Sequence, residues 1–187
     1  MVLDTIQNSF LNLNKNMRLL ILCLSTYFFV GCSNESQKIE EKFDGTYDLV
    51  EWSQNNNTFQ SPEVSGRIIF DNGNFLVTIH KRFDPNKYFT YVGYGDYKLE
   101  NNKFAYRYVN SMTLNGDESH QYIGDTTTAF GGGNYRWYTY ELKNDGLFMS
   151  TEDGKQQWNF LNSGEMKYTD LTDLSGVPMT RTWKKVP

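Results

Sequence analysis

Two histidines, His80 and His120, are the only imidazoles in this 187-residue chain and the first place to look for chemistry. His80 follows "FLVTI" and His120 opens "HQYIGD". A metal site needs several ligands at matched spacing, and these two residues bring no Cys or His neighbours with them. Positions on a surface or at a strand end explain both. No serine stands in a Gly-x-Ser-x-Gly elbow. The glycine run "GGGN" (131–134) lacks the Lys-Ser/Thr pair of a phosphate loop and reads as a tight connection. The carboxylates in "NDG" (144–146) and "EDG" (152–154) are accounted for by turns. No metal or cofactor is expected. An enzyme using His80 or His120 is the third-ranked of three functional readings.

The aromatic residues carry more information. The chain holds 13 Tyr, 13 Phe and 4 Trp against 4 Pro. Strand alternation puts Phe104, Tyr106 and Tyr108 on one face, and Tyr135 and Trp137 on one face. Phe89, Tyr91 and Tyr97 share another, spaced by Gly93 and Gly95. Tyr91, Phe104, Tyr106, Tyr108, Tyr135 and Trp137 are therefore the candidate lining of an interior. Such a lining, apolar with a few hydroxyls, suits a small hydrophobic or amphipathic ligand. The same rings could also fill the interior solidly, which would make the protein an interaction module acting through its loops.

The elements that position these rings are written as hairpins. "DNGN" (71–74), "ENNK" (100–103), "KNDG" (143–146) and "EDGK" (152–155) each separate two strand-like runs. Asn and Gly in such pairs supply the positive φ of tight hairpin turns. The expected strands lie near 46–52, 66–71, 74–82, 88–99, 103–110, 119–125, 135–143, 147–151, 156–161 and 180–186. Helical periodicity is almost absent, and the one candidate, "GEMKYTDLTDL" (164–174), precedes the last strand. The expected fold is all-β, an antiparallel up-and-down barrel of about eight to ten strands with at most one short helix before the last.

The N-terminal segment sets the expected location. Lys15 and Arg18 precede an apolar run from Leu19 to Val30, too short for the ~20 residues that span a bilayer and of the length of a secretory h-region. Met17 is an alternative start. Gly31-Cys32 after this run resembles the lipobox of bacterial lipoproteins. That resemblance implies cleavage after residue 31, acylation of Cys32 and anchoring in the cell envelope by palmitate-like chains. Ser33 after the cysteine points to the outer membrane. Cys23, the only other cysteine, falls in the removed segment, so no disulfide is expected. The mature chain keeps 156 of the 187 residues, one domain by size. Its formal charge is near −5, since residues 1–31 carry two of the 18 basic and one of the 22 acidic side chains. Nucleic acid is not an expected partner. Residues 32–43, including "SNESQKIEEK", read as the acylated cysteine and a flexible tether, and 44–187 as the barrel.

Four stretches resemble the bacterial lipocalin-like (calycin) domains: "GTYDLVEW" (45–52), "SGRIIFDNGNFLVTI" (65–79), "YVGYGDYKLENNKFAYRYV" (91–109) and "RTWKKV" (181–186). Tyr47 stands where that family commonly has Trp. The resemblance implies a barrel closed where Tyr47 packs under a basic side chain of the last strand, Arg181, Lys184 or Lys185. It also implies that residues 53–65 act as a lid over one mouth. The function it implies is a lipid-anchored protein that binds or carries a small hydrophobic molecule.

Overall fold

A computed structural model describes residues 38–84, 87–116, 122–127, 133–172 and 177–187, without the side chains of 83, 84 and 122–127. Cys32 and His120 lie outside the described residues. Residues 38–43, read from the sequence as the end of a tether, form a short helix.

Twelve strands follow: β1 (Gly45–Gln54), β2 (Asn57–Gln60), β3 (Val64–Asp71), β4 (Asn74–Asp84), β5 (Lys87–Glu100), β6 (Lys103–Gly116), β7 (Tyr122–Thr127), β8 (Arg136–Lys143), β9 (Gly146–Ser150), β10 (Gln156–Leu161), β11 (Glu165–Asp170) and β12 (Met179–Lys185). Ten of them form a closed antiparallel up-and-down wall. It runs β1–β3–β4–β5–β6–β8–β9–β10–β11–β12 and returns to β1, where Tyr47 pairs with Lys185 and Gln54 with Met179. Closure leaves the wall without a free edge. The two remaining strands double an edge. β2 pairs with Glu51–Gln54 of β1 above the point where β3 leaves it, and β7 pairs with the upper part of β6 above β8.

Local chemistry explains the hairpins. Asn55-Asn56, Asn72-Gly73 and Asn101-Asn102 all have positive φ at both residues, as two-residue turns of the I′ type require. The expected helix at 164–174 is replaced in part by β11. Met166, Tyr168 and Asp170 are buried and alternate with Lys167 and Thr169, a period of two that no helix satisfies.

Two bulges reset which residues face inward. The β1–β12 register shifts between Leu49 and Glu51, so Tyr47, Leu49 and then Trp52 are buried. In β6, Tyr108 pairs with Gly95 but Asn110 with Tyr94, which leaves Val109 as the extra residue and brings Ser111 inside.

One end of the barrel is packed solid. Phe43, wholly buried, sits among Phe70, Tyr97, Phe104 and Phe160 with ring centroids 5.2 to 5.7 Å away. The Tyr47 hydroxyl donates to the Phe43 carbonyl at 2.9 Å, and the Tyr97 hydroxyl donates to Asp44 at 2.7 Å. These bonds tie the chain before β1 to the barrel floor. Gly95 makes the packing possible on β5. A Cβ there would collide with the Arg107 carbonyl oxygen and the Phe75 ring.

Candidate functional site

Toward the other end the interior is hollow, with a cavity of about 740 Å³. Its apolar wall comes from Ile68, Val77, Ile79, Phe89, Trp158 and Met179. Tyr91, Tyr106, Tyr108 and Tyr168 add rings with hydroxyls. Gly93 gives the Tyr108 ring its place, because a Cβ at that position would lie 2.9 Å from both the ring's Cδ1 and the Tyr91 hydroxyl. Burial pushes the Tyr91, Tyr108, Tyr138 and Tyr168 hydroxyls above the ordinary tyrosine pKa. They are neutral hydrogen-bonding groups at physiological pH.

One side of the cavity is polar and organised around Asp170. Its Oδ2 accepts from Gln156 Nε2 at 2.9 Å and the Tyr168 hydroxyl at 3.2 Å. Its Oδ1 accepts from the Thr172 backbone N–H at 2.9 Å and the Thr172 hydroxyl at 2.8 Å. Because Asp170 takes the amide nitrogen of Gln156, the amide oxygen must face the opposite way. There it accepts from Arg136 Nη1 and from the Tyr138 hydroxyl, both at 2.8 Å. Arg136 Nη1 also reaches the Tyr106 hydroxyl at 3.5 Å. Arg136, Gln156 and Thr172 also border a shallower polar groove outside, shared with Thr151, Glu152, Asp153 and Lys155.

The expected site residues divide. Tyr91, Tyr106 and Tyr108 line the cavity. Phe104 faces inward but lies in the packed end, 5.4 Å from Phe43 and 6.0 Å from Tyr138. Tyr135 and Trp137 are on the outer face, which corrects the expectation that they line the interior. Tyr138 is buried and Arg136 lines the cavity, so alternation turns the odd-numbered neighbours outward. Tyr135 donates to Asp96 at 2.6 Å, Trp137 is 38% exposed, and Lys98 Nζ lies 4.5 and 4.9 Å from their two rings.

The cation over Tyr47 is Lys185, 5.6 Å from the ring, and not Arg181. Arg181 stands beside Trp52 and Tyr168 in the strand register and covers their rings at 4.1 and 5.8 Å, in the cavity wall. Residues 53–65, expected as a lid, carry the β2 hairpin bonded along β1. Lys81, 1% exposed, lies between Trp52 and Phe59 of that hairpin, at 4.3 and 4.2 Å, and donates to Gln54 at 3.1 Å.

His80 is on the outer face of β4, where its Nδ1 meets the Thr90 hydroxyl at 2.8 Å and its ring stacks on Tyr88. It does not line the cavity, so the enzymatic reading loses this residue. Among the described residues no group of three His, Cys, Asp or Glu side chains could hold a metal ion, and no helix is long and apolar enough to cross a membrane.

Sequence reasoning missed Arg136, Gln156 and Asp170. Gln156 and Asp170 border turns and read as ordinary strand-end polar residues. Arg136 stands between two aromatics that draw attention to the wrong face.

The closed antiparallel wall and its interior define a β-barrel compatible with a calycin-like fold, and its buried aromatic cluster is compatible with ligand binding. No protein-family model and no curated protein matches this chain.

Proposed function

We propose that this protein binds or carries a small hydrophobic or amphipathic molecule, held in the barrel and presented in the cell envelope by a lipid on Cys32. The observation that carries the binding reading is the cavity of about 740 Å³, within the roughly 300–1,000 Å³ of small-molecule sites. A barrel filled by its own rings would leave no such space, so the interaction-module reading takes second place. Covering about 300 Å² of apolar ligand surface gives a gross term of roughly 7 kcal/mol at ~25 cal/mol per Å². Association costs lower this, and micromolar affinity is the expected scale.

Native mass spectrometry of the protein extracted from its own host should show a bound small molecule. A protein that emerges empty and saturates with no apolar ligand below millimolar concentration would return the barrel to the interaction-module reading. The anchoring part of the proposal rests on the sequence around Gly31-Cys32. Cys32→Ser should abolish uptake of labelled fatty acid, and equal labelling of wild type and variant would refute it.

A further inference from the structure

Three charged residues line the cavity among the described residues: Arg136, Asp170 and Arg181. Among these described lining residues Arg136 and Arg181 stand with the single carboxylate of Asp170, in a protein whose formal net charge is −4.

Asp170 does not neutralise Arg136. Both of its oxygens already accept hydrogen bonds from Gln156, Tyr168 and Thr172. Gln156 stands between the two charges and offers Arg136 only a neutral amide oxygen. Tyr106 offers only a hydroxyl. No described carboxylate forms an ion pair with Arg136. The acidic side chains of the outer groove do not reach it either: Asp153 is engaged by the Thr151 hydroxyl at 2.6 Å and the Lys155 N–H at 3.1 Å, and Glu152 makes no bond to it. A guanidinium carries five N–H donors and does not lose its proton in proteins. Both hydrogen bonds of Arg136 use Nη1, which leaves the Nε and Nη2 donors for a further acceptor. A half-buried cation with fixed neutral neighbours and no counter-ion is costly until an anion arrives.

Resting on the reading of the barrel as a small-molecule binder, we infer that its ligand is an amphipathic anion, with an apolar chain against Ile68, Val77, Ile79 and Phe89 and a carboxylate or phosphate monoester head on Arg136. Arg136 lies where the cavity meets the outer groove, so the head sits at the border with the polar exterior and the chain points inward. The Asp170–Gln156 bond is the positioning device. It fixes the amide so that Gln156 and Tyr106 hold the guanidinium through Nη1 and leave its other edge for the head group.

The test compares four probes with one chain length on the intact protein: dodecanoate, dodecyl phosphate, dodecanol and dodecyltrimethylammonium. Each is titrated calorimetrically at two salt concentrations. The expected result is that the anions bind about ten- to hundredfold tighter than the alcohol, the worth of a hydrogen bond to a charged group, and that the ammonium binds no better than the alcohol. The tighter anion identifies the head group. Equal affinities for dodecanoate, dodecyl phosphate and dodecanol would overturn the inference and leave the binding reading standing. Failure of all four to bind would overturn both.

Arg136→Gln should reduce the dodecanoate-to-dodecanol ratio toward one, and Arg136→Lys should restore part of it. An unchanged ratio in Arg136→Gln would refute Arg136 as the anchor and point to Arg181. Should Arg136→Gln not fold, the wild-type probe series still decides, because its outcome requires no variant.

Discussion

Truncating Phe43 tests whether the barrel begins before its first strand. The ring is 0% exposed and touches Phe70, Tyr97, Phe104 and Phe160, so Phe43→Ala leaves a hole walled by rings that cannot easily collapse. Buried Phe→Ala changes cost about 3–5 kcal/mol, and the four edge or tilted ring contacts place this one in the upper part of that range. Phe43→Leu retains most of the volume and should cost about 1 kcal/mol. For a domain of this size, the Ala variant should melt on the order of 10 °C lower. Urea unfolding is the better assay. The midpoint should fall with an unchanged m-value, since the surface exposed on unfolding is the same. A loss under about 1 kcal/mol for Phe43→Ala would refute the reasoning, and would mean that the Phe43 ring does not seal the floor.

Three further outcomes are expected. In a dodecanol titration followed by tryptophan emission, Trp137→Phe should keep the ligand-induced change and Trp158→Phe should lose much of it, because Trp137 lies outside and Trp158 lines the cavity. Gly95→Ala should destabilise the protein by about 1–3 kcal/mol, read by urea unfolding, because its Cβ meets backbone and a buried ring. For Asp96, burial raises the carboxyl pKa, but hydrogen bonds from Arg107 and Tyr135 outweigh burial and leave it below the ordinary value. Its contribution is therefore complete above the unfolded value of about 3.9 and is lost as pH falls through the lower folded value. Asp96→Asn should flatten this acid limb in thermal melts collected against pH, and identical limbs would refute the assignment.

The fold was legible because its turns carry their own conformational demand. Asn72-Gly73 and Asn101-Asn102 announce left-handed pairs, and the alternation of Phe75, Val77 and Ile79 gives an unambiguous inner face. β8 was less legible. In "YRWYTYEL" both faces carry aromatics, so alternation fixes a period without a phase, and the arginine that points inward looks like a surface residue. Bulges are the second blind spot. Reading "YDLVEW" with strict alternation buries Glu51. The extra residue beside Leu49 turns Trp52 inward instead, and no residue type near it signals the shift. The polar network is a third case, since Gln156 and Asp170 acquire their roles only when β10 and β11 pair.

The pairing of β1 with β12 also imposes an order on the birth of the molecule. Tyr47 finds Lys185 only after every strand between them has been made, so the wall cannot close while β12 is still missing. Until then β1 presents Tyr47 to Gln54 as an open edge, ready to pair with any other extended chain. Contacts this distant in sequence form slowly, and incomplete barrels are exposed to aggregation during that wait. A barrel of this design gains the stability of closure only when β1 and β12 meet, and the risk of pairing with another copy ends at that step.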